Sequence, residues 1–187
     1  MERWFHLHPK ILQWHERVMR YLQGTQCWKC DNLDVTLGRR CDKCGAALGG
    51  TVGNKFGFRR KYFERIDESL LPGALAWIPQ STVAFCTELG WTSIAGGPSF
   101  AAQFGHAERV TYEWSQLLVE PQSYAKWHNV VRFLIQVHDS IVFQVPEEYE
   151  HDVPQIVKDM RVVVPYDDPL IIPMSFAMSK KSWGDCE

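Results

Sequence analysis

Four of the six cysteines fall in two pairs, Cys27-x2-Cys30 and Cys41-x2-Cys44, with ten residues between them. Thiolates at this spacing can fill the four corners of a tetrahedral Zn2+ site. Gly45, directly after the second pair, gives the backbone freedom to fold back under a metal. The gap is shorter than the commonest ribbon spacing, so the module must be compact. Four thiolates leave no open position for a substrate, so this metal is expected to be structural and not catalytic. Free buried thiols and a disulfide are the alternatives; the N-terminus MERWFHLHPK lacks an apolar export signal, which disfavours the disulfide. Lys29, Arg39, Arg40 and Lys43 make the module basic. That suits contact with nucleic acid, and a solvated charged surface suits it nearly as well.

The second constellation is His138-Asp139-Ser140, the central polar break in the β-branched, apolar run 134–145. An aspartate between two buried strands is costly unless it has a task. A rigid strand end is a good place to hold a metal-binding carboxylate. Phosphoryl transfer by a pair of Mg2+ ions needs carboxylates at such points. Asp is also an ordinary turn residue, so a plain hairpin stays open. His138-Asp139 further resembles the His-Asp pair of metal-dependent phosphohydrolases. That pair sits on helices with further His and Asp ligands, whereas this one lies in a strand pattern.

The elements that must position these groups are partly legible. Ile11, Leu12, His15, Val18, Met19 and Leu22 recur at helical spacing, opened by Pro9 and stopped by Gly24. Residues 56–62 are basic and aromatic and suit a strand. A helix is expected over 67–77, with Pro79 breaking it or starting another that runs to Gly90. Residues 91–107, rich in Gly, Ser and Ala, read as a loop, and 108–131 as helical with an interruption at Pro121. The run 134–145 reads as a tight hairpin. A short helix is expected between 147 and 160, started or kinked by Pro154. Ile172, Met174, Phe176 and Met178 alternate as in a final strand. Together these predict an α+β fold with a mostly antiparallel sheet.

Length and composition set the limits. The 187 residues suit one domain, or one with a small appendage. A hydrophobic fraction of 45% with 22% charged residues excludes a disordered or collagenous chain. No apolar run approaches the roughly 20 residues that span a bilayer. A formal net charge of -2 excludes a whole-molecule electrostatic DNA binder but leaves room for a local basic site. A cytoplasmic location is expected.

Gln136-Val-His-Asp139, followed by Ser-Ile-Val-Phe-Gln-Val-Pro-Glu-Glu148, resembles motif C of family A DNA polymerases. The likeness extends along nearly the whole chain and in order. Trp4-Phe5 through His8-Pro9, then Trp14-His15-Glu16-Arg17, resembles the helix that follows the nucleotide-binding helix of the fingers. Phe56-Gly-Phe-Arg-Arg-Lys-Tyr62 resembles the family's "FGRRRY" ribbon. Trp77-Ile-Pro-Gln-Ser-Thr-Val-Ala84 resembles its "PIQGTAAD" segment, in a form closest to phage-type members. Met178 to Asp185, with Ser182-Trp183, resembles the closing strand. By this resemblance, residues 1–25 and 52–90 are fingers-type helices and ribbon, 26–51 a zinc-ribbon-like insertion, and 91–187 the C-terminal part of an antiparallel palm.

The resemblance implies a nucleotidyltransferase acting on primer-template DNA and a deoxynucleoside triphosphate in DNA replication, in a bacterial or phage-infected cell. Asp139 would be one of two palm carboxylates binding the catalytic Mg2+ pair. His138 would lie against the primer terminus, Gln80 would reach the minor groove near it, and Arg59 and Arg60 would contact phosphate or template. The primer 3′ oxygen would attack the α-phosphate in line. Departures are Ser140 where the family usually has Glu, Ser81 where it has Gly, and Ala76 where many members have Asn. The family's first catalytic Asp and its nucleotide-binding helix have no counterpart here. The expectation is therefore a polymerase part that is incomplete as a lone chain, with a second chain carrying those two elements. A non-catalytic, zinc-containing nucleic-acid-binding protein is the alternative.

Overall fold

The computed structural model describes residues 6–33, 40–96, 126–137 and 139–186. It is a mixed α+β structure in two compact units, Met1–Thr82 and Val83–Glu187. Among the described residues there are three α-helices: α1 (Pro9–Gln23), α2 (Leu71–Trp91) and α3 (Val153–Asp159). The strands are β1 (Thr51–Gly53), β2 (Arg59–Lys61), β3 (Arg132–Val137), β4 (Ser140–Gln144), β5 (Val163–Val164) and β6 (Leu170–Ile171). They pair only as β1–β2, β3–β4 and β5–β6, three antiparallel two-stranded ribbons. No described helix is long and apolar enough to cross a membrane.

In the first unit α1 begins on Pro9, whose fixed φ suits a first turn, and is closed by Gly24 in left-handed backbone. Its buried stripe, Val18, Tyr21 and Leu22, packs with Val52, Tyr62 and Ala74. Leu12, at the other end of the expected apolar stripe, is exposed. The β1–β2 ribbon pairs Thr51 with Lys61, Val52 with Arg60 and Gly53 with Arg59. Its loop is ordered by Asn54, whose Oδ1 accepts from the N–H groups of Phe56 and Phe58 at 3.1 Å each. Asn54 Nδ2 then donates to Ser81 Oγ on α2 at 3.2 Å, which fixes the ribbon to that helix.

Helix α2 corrects one expectation. Pro79 neither breaks it nor starts a new helix; it sits inside a 21-residue helix. An interior proline costs about 3 kcal/mol through a lost hydrogen bond and ring crowding. The turn around it carries extra bonds to one carbonyl: the Ser81 and Thr82 hydroxyls both donate to Ile78 O, at 3.0 and 2.8 Å. The entry turn Glu68–Leu70 is capped by Asp67, whose side chain accepts from Ser69 N–H at 3.0 Å.

In the second unit the expected hairpin is present, joined by the two residues between Val137 and Ser140, with a bulge at Leu134. Phe133, Ile141, Phe143 and Val145 pack on a core of Trp91, Ile94, Trp127, Val131, Ile156 and Met160. Pro154 starts α3 after a 3-10 stretch, Glu147–Asp152. The expected final strand is absent. Only Leu170–Ile171 pair, and beyond them the chain has no ladder partner among the described residues; Pro173 has no N–H to give to one. The expected loop over 91–107 is overturned at its start, where Trp91 still belongs to α2 and Thr92–Gly96 continue as a π-helical turn with Ile94 in the core. The rest of it, and the expected helix over 108–131 as far as residue 125, fall outside the described residues.

The second core encloses one carboxylate. Asp159, 4% exposed, accepts from Trp127 Nε1 at 2.7 Å and from Gln155 Nε2 at 2.5 Å. A buried carboxylate is tolerated only while its oxygens have donors. Trp127→Phe removes the indole donor and leaves a smaller ring in a fully buried position, so it is expected to lower unfolding stability by at least about 2–3 kcal/mol. Asp159→Asn in that background should recover part of the loss, as read by urea denaturation.

Candidate metal centre

The two C-x2-C pairs converge. Cys27, Cys30, Cys41 and Cys44 place their sulfurs within 4.8 Å of one another. Cys27 Sγ lies 3.5 Å from Cys44 Sγ, and Cys30 Sγ 3.7 Å from Cys41 Sγ. A disulfide needs about 2.05 Å, so these thiols are free of one another. Four sulfurs at about 2.3 Å from a central Zn2+ would stand about 3.8 Å apart along the tetrahedron's edges. The cluster could therefore hold a Zn2+ with little movement, and its four thiols are the donor set that ion prefers.

Both pairs fold as turns of the same kind. Cys27 O accepts from Asp31 N–H at 2.9 Å, and Cys41 O from Gly45 N–H at 2.8 Å. Gly45 takes φ 71°, as its glycine permits. Asp31 occupies the equivalent place in the first turn with φ 55°, a backbone state uncommon outside glycine. It is held there by side-chain bonds: Tyr21 donates its hydroxyl to Asp31 Oδ1, and Gln26 Nε2 donates to Asp31 O at 3.2 Å. Arg20 Nε in turn donates to Gln26 Oε1 at 2.9 Å. The end of α1 thus braces the first turn. Nothing in the cysteine spacing announces this brace.

The electrostatics suit a cation. Burial pushes the Cys27 thiol up to about 12, against backbone N–H groups of Cys30 and Lys29 that point at its sulfur. At Cys41 burial also pulls upward, but N–H groups of Cys44 and Lys43 and the neighbouring thiols outweigh it and bring the group down to about 6. A divalent metal would displace the thiol protons while the N–H groups directed at the Cys27 and Cys41 sulfurs stay in place.

The module is seated by Trp28. Its Nε1 donates to Ala47 O at 3.0 Å, linking the first turn to the segment that follows the second. Its ring packs closely against Gly53 of β1, where an added Cβ would come within 2.0 Å of it. Only a glycine fits at that approach.

The other sequence-derived site residues are spread over both units. Asp139 is exposed in the two-residue turn between β3 and β4. Its backbone carbonyl accepts from Thr87 Oγ1 of α2 at 3.3 Å, and Ser140 Oγ approaches its Oδ1 at 3.5 Å. Among the described residues, the cysteine cluster is the one group of three or more metal-ligating side chains within reach of each other. Asp139 offers a single carboxylate and does not by itself make a Mg2+ site. His138 falls outside the described residues. Gln80 is exposed on α2, and Arg59 and Arg60 are exposed on β2, with the Arg60 guanidinium 4.9 Å over the Tyr62 ring. Ser81, read from sequence only as a departure, is the residue that receives Asn54.

No family model, curated protein or solved structure matches this chain.

Replacing Cys41 and Cys44 together with Ser is expected to remove about one equivalent of bound zinc. Proteolysis within 26–50 should accelerate severalfold while the second unit keeps its resistance. A metal assay on the purified protein and limited proteolysis read both outcomes. Unchanged zinc content would contradict the assignment.

Proposed function

We propose that this chain is the C-terminal part of a template-directed DNA polymerase of the family A type, carrying a structural zinc module. The observation that carries this reading is the placement of Asp139. A solvent-facing carboxylate stands at the tip of a packed hairpin whose turn is two residues long and whose backbone is tied to α2 through Thr87. A carboxylate on such a support is held where an ion shared with a second acidic group could be met, and it has no competing cationic partner among the described ion pairs.

In this reading a pair of Mg2+ ions supplies the charge stabilisation of nucleotidyl transfer when bound. Asp139 contributes one ligand, and Ser140 and Thr87 keep its turn in place. Gln80 and His138 address the primer end, and Arg59 and Arg60 address phosphates or template. The other catalytic Asp and the nucleotide-binding helix have no counterpart in this sequence and come from another polypeptide segment. The protein works in the cytoplasm on primer-template DNA.

A second reading, a non-catalytic zinc-containing nucleic-acid-binding protein, is favoured by charge placement. Residues 1–82 hold 13 Lys and Arg against 8 Asp and Glu, whereas 83–187 hold 7 against 14. The modest net charge conceals a basic unit and an acidic one.

Reconstitution separates the two. With a polypeptide carrying the missing Asp and nucleotide-binding helix, primer extension should appear. Asp139→Ala should lower it by at least about a hundredfold while leaving DNA affinity within about twofold. Extension by this chain alone, or extension indifferent to Asp139→Ala, would refute the polymerase reading.

A further inference from the structure

The β1–β2 ribbon has a solvent face of which the polymerase reading uses only Arg59. Phe63, just past β2, is 86% exposed, an unusual position for a large apolar ring. The Lys61 ammonium lies 5.6 Å over that ring. Glu64, the adjacent acid, is turned back onto the Phe63 backbone N–H at 2.9 Å. In an antiparallel pair, opposed residues share a face, and residues two apart on one strand share it too. Arg59 is opposed to Gly53, so Arg59, Lys61 and Phe63 lie on the side of the ribbon where the Trp28 ring covers Gly53. Lys29, next to Trp28, is exposed as well. Arg60 and the buried Tyr62 belong to the opposite side.

This face therefore carries cations at Arg59 and Lys61, an open aromatic ring at Phe63 and a half-buried indole at Trp28, with the exposed Lys29 next to that indole in sequence, all in one unit. Cations recognise a phosphate backbone, and an uncovered ring offers a stacking platform to a base. A duplex keeps its base faces against one another, so a ring on a surface finds a partner most readily in an unpaired strand. An acidic protein segment would satisfy the cations but would leave the ring without a matching flat surface.

We infer that the β1–β2 ribbon, with Trp28 and Lys29 of the cysteine module, is a binding site for single-stranded nucleic acid, in which Phe63 stacks on a base while Arg59 and Lys61 meet phosphates. It deepens the nucleic-acid reading of this unit and does not depend on Asp139 or on any polymerase partner.

The test uses the full, zinc-loaded chain without Mg2+ or nucleotide. A fluorescent oligothymidylate, the same length of duplex and a labelled heparin fragment are titrated at several salt concentrations. The oligothymidylate should bind more tightly than the duplex, and Phe63→Ala should weaken it by roughly tenfold. The double change Arg59→Gln and Lys61→Gln should reduce the slope of log affinity against log salt by about 1.4. All three side chains are exposed, so circular dichroism should report an unchanged fold. Asp139→Ala should leave every one of these values in place, which keeps this site separate from any failure of primer extension. Duplex preferred over single strand, binding indifferent to Phe63→Ala, or heparin bound as tightly as oligothymidylate would each overturn the inference.

Discussion

Four sulfur atoms within 4.8 Å of one another set the terms for the first unit. As thiolates they would repel strongly; as thiols they would crowd donors with few acceptors between them. One divalent cation at their centre removes both difficulties. The module around them has little else to hold it. Its buried cluster is Cys27, Cys41 and Ala46, with Trp28, Leu48 and the remaining two cysteines packed alongside. A patch of that size offsets little of the entropy of ordering the chain, so a Zn2+ bound by the four sulfurs would add its binding free energy to the folding of the module.

That constraint extends beyond the cysteines. Trp28 belongs to the first cysteine turn and rests on Gly53, so a correctly closed module presents a flat ring to β1. From the other side α1 reaches the same turn through Tyr21, Gln26 and Arg20. Burial, and then the Asp31 carboxylate, push the pKa of the Tyr21 hydroxyl upward, so it stays protonated and a donor throughout the neutral range. The metal module, the helix before it and the ribbon after it are thus one mechanical assembly.

How much of this was legible follows from what each signal depends on. Cysteine spacing is a local pattern with one favourable solution, and the four residues read from it are the four that converge. Pro9 and Gly24 act through their own backbone preferences, and they bound α1 as expected. The hairpin needed only a polar break in an apolar run, and its pairing follows. The failures lie where a local preference was overruled from elsewhere. Pro79 by itself favours a break or a new helix start, but α2 runs through it. The alternation from Ile172 to Met178 was read as a strand, but a strand needs a neighbour and Pro173 withholds a donor. Asp31 in left-handed backbone, and the closeness of Trp28 to Gly53, depend on partners distant in sequence. No short pattern encodes them.

The opposite charges of the two units bear on what Asp139 can do. It sits in the acidic half of the sequence, at a turn with no cation paired to it among the described ion pairs, while the cations gather around the cysteine module and the β1–β2 ribbon. A polyanion would be drawn to the basic unit and repelled by the acidic one. An acidic surface near a phosphate-bearing ligand is tolerable only if cations are bound between them, and that is the condition a metal-assisted phosphoryl transfer meets. The same surface without such cations would push nucleic acid away, leaving the basic unit as the sole point of contact. Under the proposed function, divalent ions held between Asp139 and the phosphates would meet that condition.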